Sequence, residues 1–264
     1  MAEPAEDEAE EVAVSATVCG TRVAVQRKHL ESDALAGDVD PYFFDADYTV
    51  AASTGMVMWE GSWAAVEVLR QDGWLAELVR GRRVVELGSG IGLLGLCAAA
   101  AGGHVLLTDV PSVVEARLRA NVEANGATEP VSSTGWSAAR TVGLGSASVQ
   151  PLDWTVPLSE QCMPDDPRDA ELVIAAECVW LLDLVEPFVT TVVELLRGPR
   201  RPACILAFRE RAKEESTTFS SLETVAAAFR ARGVVITERG SCDAPESIGL
   251  TTSFFELRLE QPST

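Results

Sequence analysis

The stretch RRVVELGSGIGLLGLCAAAAGGHVLLTDV (residues 82–110) decides the fold. Residues 84–87 form a short apolar run suited to a buried strand, and Gly88, Gly90, Gly92 and Gly95 follow at once. An alanine-rich helical stretch, 93–101, and a second apolar run, 105–108, ending at Asp109, complete a strand–turn–helix–strand unit. Glycine permits positive φ and lets backbone N–H groups approach a ligand with no Cβ in the way. The start of the next helix presents partial positive charge, so the turn reads as a binding loop.

The rest of the chain extends this unit. Residues 12–28 alternate apolar and polar positions on both sides of Cys19-Gly20, which predicts a β-hairpin. Residues 58–81 carry helical spacing through Trp63, Val66 and Leu69, with Ser62 as the expected cap and Gly81 as the stop. Beyond Asp109 the pattern predicts a helix over 112–125, strands over 147–152 and 172–176, and a helix over 183–196. A strand over 204–208, a helix over 216–232 and closing strands over 234–237 and 253–259 follow, and residues 131–147 are read as irregular surface. Apolar strands separated by helices give an α/β fold with a mostly parallel sheet covered on both faces. The expected organisation is an acidic disordered tail over 1–12 and a single domain over 13–264, its hairpin extension occupying 13–50 and its core 51–264.

Composition narrows the function classes. The 264 residues carry a formal net charge of -19, and the first ten residues include five acidic and no basic side chains. Such a field repels phosphate backbones and attracts lysine-rich surfaces, which argues against nucleic acid and for a basic protein partner. No apolar run reaches the length of a membrane span and the N-terminus lacks the basic character of a signal, so a cytoplasmic or nuclear location and no membrane partner are expected. Six scattered cysteines and two histidines, without a C-x-x-C pair, predict neither zinc nor a disulfide framework. Most of the thiols are expected in the core.

Gly90, Gly92 and Gly95 fit the G-x-G-x-x-G pattern, and Asp109 stands about 20 residues on, where a ribose-binding carboxylate belongs. NAD and S-adenosylmethionine are the two ligands this pattern admits. Glu86, two residues before the glycines, would repel a pyrophosphate but can accept from an amino-acid ammonium or organise the loop. Tyr42 and Tyr48 lie upstream of the loop and neither begins a Tyr-x-x-x-Lys pair. Both features favour the sulfonium compound.

ELGSGIGLLGL, LLTDV, LDW and LVIAAECVWLLDLVEPF, in this order and with MWEGSWAAVEVL before them, resemble the family-16 group of seven-strand methyltransferases, whose characterised members mostly methylate protein lysines. The resemblance spans about residues 12–260 and implies a Rossmann-like seven-stranded sheet closed by an antiparallel strand pair. It also implies that Gly88, Ser89 and Gly90 lie against the methionine part of S-adenosylmethionine and that Asp109 binds the ribose. Trp154 is then expected beside the adenine with Asp153 at its amino edge, Ala176 in the cleft, and Trp59 over the cofactor. Where the family has Asp-x-x-Tyr after the fourth strand, this chain has Glu177-Cys178-Val179-Trp180. Glu177 keeps the charge one methylene further out, and Trp180 keeps an aromatic wall but exchanges a hydroxyl for an indole N–H. A lysine amine is the expected substrate, held by charge and cation–π contact, with a small amine or a non-catalytic adaptor as alternatives. Monomer is the favoured oligomeric state.

Other polar residues read more plainly. Glu177 has a structural alternative, capping the helix near Asp183 or pairing with an arginine. Arg209 and Glu210 read as a solvated helix start, or alternatively as the rim of a substrate channel. His104 reads as structural, and His29 as part of a polar loop.

Overall fold

The computed structural model describes residues 11–28, 54–71, 73–127, 135–210, 216–243 and 251–260. Strands β1 (Glu11–Val18) and β2 (Thr21–Lys28) form the hairpin, turning at Cys19-Gly20, both with positive φ. β1 begins two residues inside the stretch read as tail; residues 1–10, and His29, Tyr42 and Tyr48, lie outside the described residues.

The helical stretch before the first buried strand is two helices, α1 (Glu60–Arg70) and α2 (Trp74–Val79), separated at 71–73 by Gly73, the N-cap of the second. Trp59, not Ser62, is the N-cap of α1. Then come β3 (Arg83–Leu87), α3 (Leu93–Ala100), β4 (His104–Asp109) and a continuous helical run, here α4, made of Pro111–Val113, a π-helical turn Val114–Leu118, and Arg119–Asn125. The remainder is β5 (Arg140–Val142), β6 (Gly145–Pro151), β7 (Leu172–Ala176), α5 (Leu182–Leu196), β8 (Ala203–Phe208), α6 (Leu222–Arg230), β9 (Val234–Cys242) and β10 (Thr252–Leu259).

The large sheet runs β5-β6-β4-β3-β7-β8-β10-β9. Parallel pairs join β6, β4, β3, β7 and β8, and β10 runs antiparallel to both β8 and β9. Seven of these strands are the expected Rossmann-like set. The eighth, β5, lies in the stretch read as irregular: it is three residues long and folds back on β6 through Gly143 at positive φ. Two further boundaries differ. β9 continues to Cys242 because it is an edge strand exposed on both faces, so no apolar alternation marks its second half. α6 starts at Leu222, since Ser221 accepts from the Thr224 amide as N-cap, whereas Ser216 makes its own turn with Phe219.

Alternate residues of each central strand enter two cores. Val84, Leu172 and Ile205 pack under α1 to α4, while Val85, Val173 and Leu206 pack under α5 and α6. Every residue of α3 is buried. A helix apolar all round needs cover on its outer face, and the hairpin provides it, with Val18, Val23 and Val25 set against the small alanines of α3. Of the cysteines, only Cys97 and Cys204 are buried; Cys178 and Cys242 are half-buried, and Cys19 and Cys162 are exposed, contrary to the expectation that most are core residues. No helix among the described residues is long and apolar enough to cross a membrane.

Candidate active site

The strand order reverses between β3 and β7, and the carboxyl ends of these strands with β4 open onto a cavity of about 330 Å³. Open α/β sheets bind ligands at this switch point, and a volume near 300 Å³ is the lower end of the small-molecule range. Of the eleven predicted site residues, ten line it: Trp59, Gly88, Ser89, Gly90, Asp109, Asp153, Trp154, Ala176, Glu177 and Trp180.

The loop from Gly88 to Gly92 is fixed by its own backbone and by β4. Gly88, Gly90 and Gly92 all have positive φ, and a Cβ on Gly88 would stand 2.6 Å from the Cys178 Cβ. Ser89 donates its amide to the Thr108 carbonyl at 2.9 Å and accepts the Thr108 amide on its hydroxyl at 3.0 Å. The Asp109 carboxylate accepts from the Gly90 amide and from the Val110 amide, both at 2.8 Å. Burial pushes the Asp109 carboxyl up to about 6, against the pull of those two amides toward the charged form. It is ionised at neutral pH, with its remaining lone pairs available to hydroxyl donors.

Glu86 is the predicted site residue that does not line the cavity. Its side chain runs beneath the loop to Gly95, where an added Cβ would fall 2.3 Å from Oε2. Burial pushes its carboxyl up to about 8, with the Ser89 hydroxyl and the Gly95 amide opposing and the charge of Asp109 adding to the rise. Glu86 therefore supports the loop from behind and does not meet a ligand ammonium. Its position on β3 follows from the pleat, which alternates residues between two covered faces.

The opposite wall comes from distant parts of the chain. Trp59 lines the cavity at the start of α1, its indole donating to the Thr54 carbonyl at 2.9 Å. Its ring lies 6.2 Å from that of Trp180, which in turn stacks on Phe219 at 5.9 Å. Trp180 is held by backbone bonds, its carbonyl accepting from Ser220 at 2.8 Å while Leu182 donates to Thr218 at 3.0 Å. Trp154 packs edge-on against Phe188 at 5.1 Å, and Asp153 turns one oxygen to the Thr155 amide and hydroxyl.

Glu177 has φ +50 and is 6 % exposed. It does not cap α5, whose N-cap is Leu181 with no side-chain bond. Its Oε2 accepts from the Gly61 amide in the first turn of α1, and a Cβ on Gly61 would stand 2.5 Å from the Glu177 Cγ. The glutamate fits because position 61 has no side chain. Arg209 is buried, 7 % exposed, and ion-paired with Glu60 of the same turn, so it is not part of a solvated helix start. Glu210 accepts from the Leu222 amide at 2.9 Å and caps α6. Neither lines the cavity. His104 opens β4 and bonds Ser146 at 2.9 Å, a structural role.

Asp183, which lines the cavity, and Gly61, which anchors Glu177, are among the residues to which sequence reasoning gave no site role. A glycine near the start of an otherwise good helix was the available signal, since glycine is a poorer helix former than alanine. Four carboxylates, Asp109, Asp153, Glu177 and Asp183, line the cavity, and among the described residues no lysine or arginine does. Such a lining suits a cation and opposes a pyrophosphate.

This geometry is that of a nucleotide-type α/β enzyme with an electronegative, aromatic-walled pocket. A family model described as lysine methyltransferase matches residues 44–225, and the chain belongs to that family. It is similar to EEF1A lysine methyltransferase 3 of Xenopus tropicalis, 31% identical over 121 residues, covering 46% of this chain and 44% of that protein. It is also similar to protein-lysine N-methyltransferase EFM6 of Saccharomyces cerevisiae, 26% identical over 183 residues, 61% of this chain and 68% of that one. The match thus spans about half the length of the frog protein and two thirds of the yeast one. Among solved structures, magnesium protoporphyrin IX methyltransferase from Synechocystis PCC 6803 with bound SAM superposes with a TM-score of 0.46 at 16% identity, covering 76% of this chain and 80% of that chain.

Proposed function

We propose that this protein is an S-adenosylmethionine-dependent methyltransferase acting on a lysine side chain of a protein with a basic surface. The observation that carries the reading is the cavity itself: a glycine loop and Asp109 on one wall, Glu177 and three tryptophans on the other, and four carboxylates without a lining cation among the described residues. The residues fit the cofactor. Gly88, Ser89 and Gly90 would hold its methionine end, Asp109 its ribose hydroxyls, and Trp154 and Asp153 its adenine. NAD fits poorly, because its pyrophosphate would face those carboxylates.

When bound, the cofactor supplies an electrophilic methyl group for an in-line displacement. The chain's task is to align the amine and exclude water. The amine must arrive neutral, and with an ordinary pKa of about 10.4 its deprotonation at pH 7 costs about 4.6 kcal/mol. Desolvation between Trp59 and Trp180 lowers that pKa, and Glu177, anchored to the Gly61 amide, orients the amine. Glu177 is thus an orienting acceptor. The Cys178 thiol is pushed up by burial, remains protonated and is no nucleophile.

Incubating a cell lysate with the protein and radiolabelled S-adenosylmethionine tests this. Label is expected in a protein band and on lysine after hydrolysis, and Glu177→Ala is expected to reduce it while retaining affinity for S-adenosylhomocysteine. Label only in small molecules would identify a small-amine methyltransferase, and cofactor binding with no label anywhere a non-catalytic adaptor. Either result overturns the proposal.

A further inference from the structure

The hairpin lies outside the nucleotide-binding core, yet it reaches the glycine loop through one buried side chain. Asn121 and Asn125 sit one turn apart at the end of α4, facing the free edge of β2. Asn125 accepts the Ala24 amide at 2.8 Å and donates to the Ala24 carbonyl at 2.7 Å. Asn121 repeats the pattern two residues along, accepting the Gln26 amide at 3.0 Å and donating to the Gln26 carbonyl at 3.1 Å. Each carboxamide thereby takes the place of a neighbouring strand's peptide group.

The two asparagines differ in their third bond. Asn125 donates to Asn121 O within its own helix, whereas Asn121, 2 % exposed, donates to the Ile91 carbonyl at 2.9 Å. Ile91 lines the cavity between Gly90 and Gly92, two residues with positive φ. The peptide linking Ile91 to Gly92 is consequently gripped at both ends, its carbonyl by Asn121 and its N–H by the Ser89 carbonyl at 2.8 Å. Glycines permit a peptide to flip at little steric cost, so a bond to that carbonyl selects one loop conformation.

We infer that Asn121 is a positioning residue for the cofactor and that the N-terminal hairpin, by holding the carboxamide of Asn121 in register, is a working part of the cofactor site. This rests on the reading of the loop as an S-adenosylmethionine site. Preorganising a binding loop reduces the ordering it must undergo when a ligand arrives, so losing the brace weakens binding without removing any ligand contact.

The test is calorimetric titration of the full chain with S-adenosylhomocysteine, together with its thermal midpoint, for three variants. Asn121→Asp keeps the acceptor for the Gln26 amide but loses both donated bonds, and it is expected to weaken binding by roughly tenfold. Gln26→Pro removes the hairpin amide that fixes Asn121 and is expected to weaken binding by a smaller factor. Asn125→Ala breaks the other clamp, lowers the thermal midpoint and leaves the affinity near that of the wild type. Wild-type affinity in Asn121→Asp would overturn the inference, as would equal weakening by Asn125→Ala, which would mark a general loss of stability. Wild-type affinity in Gln26→Pro would remove the hairpin from the role. Absence of binding by the unaltered protein would instead refute the cofactor reading.

Discussion

The two walls of the cavity are built on different plans. The glycine-loop wall is largely local: residues 86–110 supply the strand, the turn, the helix start and Asp109, and the side-chain hydrogen bonds that shape the loop run within that segment apart from the brace at Asn121. The aromatic wall is assembled from afar, with Gly61 holding Glu177 across 116 positions and Trp180 wedged between Trp59 and Phe219. A local wall tolerates little change at its own positions. A composite wall depends on residues that do not touch a ligand, and this difference separates binding from turnover.

The largest effect is expected where the local wall is cut. Asp109→Ala leaves the Gly90 and Val110 amides without their acceptor and removes the expected ribose contact. Affinity for S-adenosylhomocysteine should fall by roughly 100-fold or more, read by calorimetry. Because burial pushes the Asp109 carboxyl up to about 6, the affinity of the unaltered protein should also decline as pH falls through that value, when the acceptor becomes protonated. A flat profile between pH 5 and pH 8 would mean that the Asp109 carboxyl titrates outside that range.

Cutting only the Glu177 anchor of the composite wall should leave cofactor binding intact. Gly61→Ala drives a Cβ into the Glu177 side chain, so the carboxylate must move by about 1 Å. Turnover, followed as label transfer to protein, should drop by an order of magnitude at least, with cofactor affinity unchanged. The crowding at Glu177 should also lower the thermal midpoint somewhat, so turnover and cofactor affinity, read together, carry the test.

The smallest effect belongs to Glu86, which touches the loop from behind. Its carboxyl is pushed up by burial from 4.5 to about 8, so between those values the folded chain holds a proton that the unfolded chain releases. Stability therefore falls as pH rises across that window. Glu86→Gln should flatten this dependence in urea titrations at several pH values, with modest change in cofactor affinity. An unchanged slope would mean that the carboxyl ionises normally.

The contrast between the walls also explains what the sequence disclosed. The central strands, α3 and the glycine turn announce themselves through short-range pattern: apolar runs, glycines at positive φ and an aspartate at the right remove. The fate of Glu177 was not legible, because its partner is a backbone amide on a helix far away in sequence and only the odd glycine in WEGSW hints at it. Glu86 was legible as a support for the loop but not as one excluded from the cavity, since that depends on which face of β3 the carboxylate takes. β5 escaped notice because three residues carry too little alternation to mark a strand. Arg209 looked solvated by composition, and only the tertiary contact with Glu60 buries it.

The central claim is that the pocket above β3 and β4 holds a sulfonium nucleoside. The direct measurement is a pair of calorimetric titrations of the unaltered protein at neutral pH, one with S-adenosylhomocysteine and one with NADH. The account predicts saturable single-site binding of the first and no heat with the second. Silence with S-adenosylhomocysteine, or saturable binding of NADH, would contradict it.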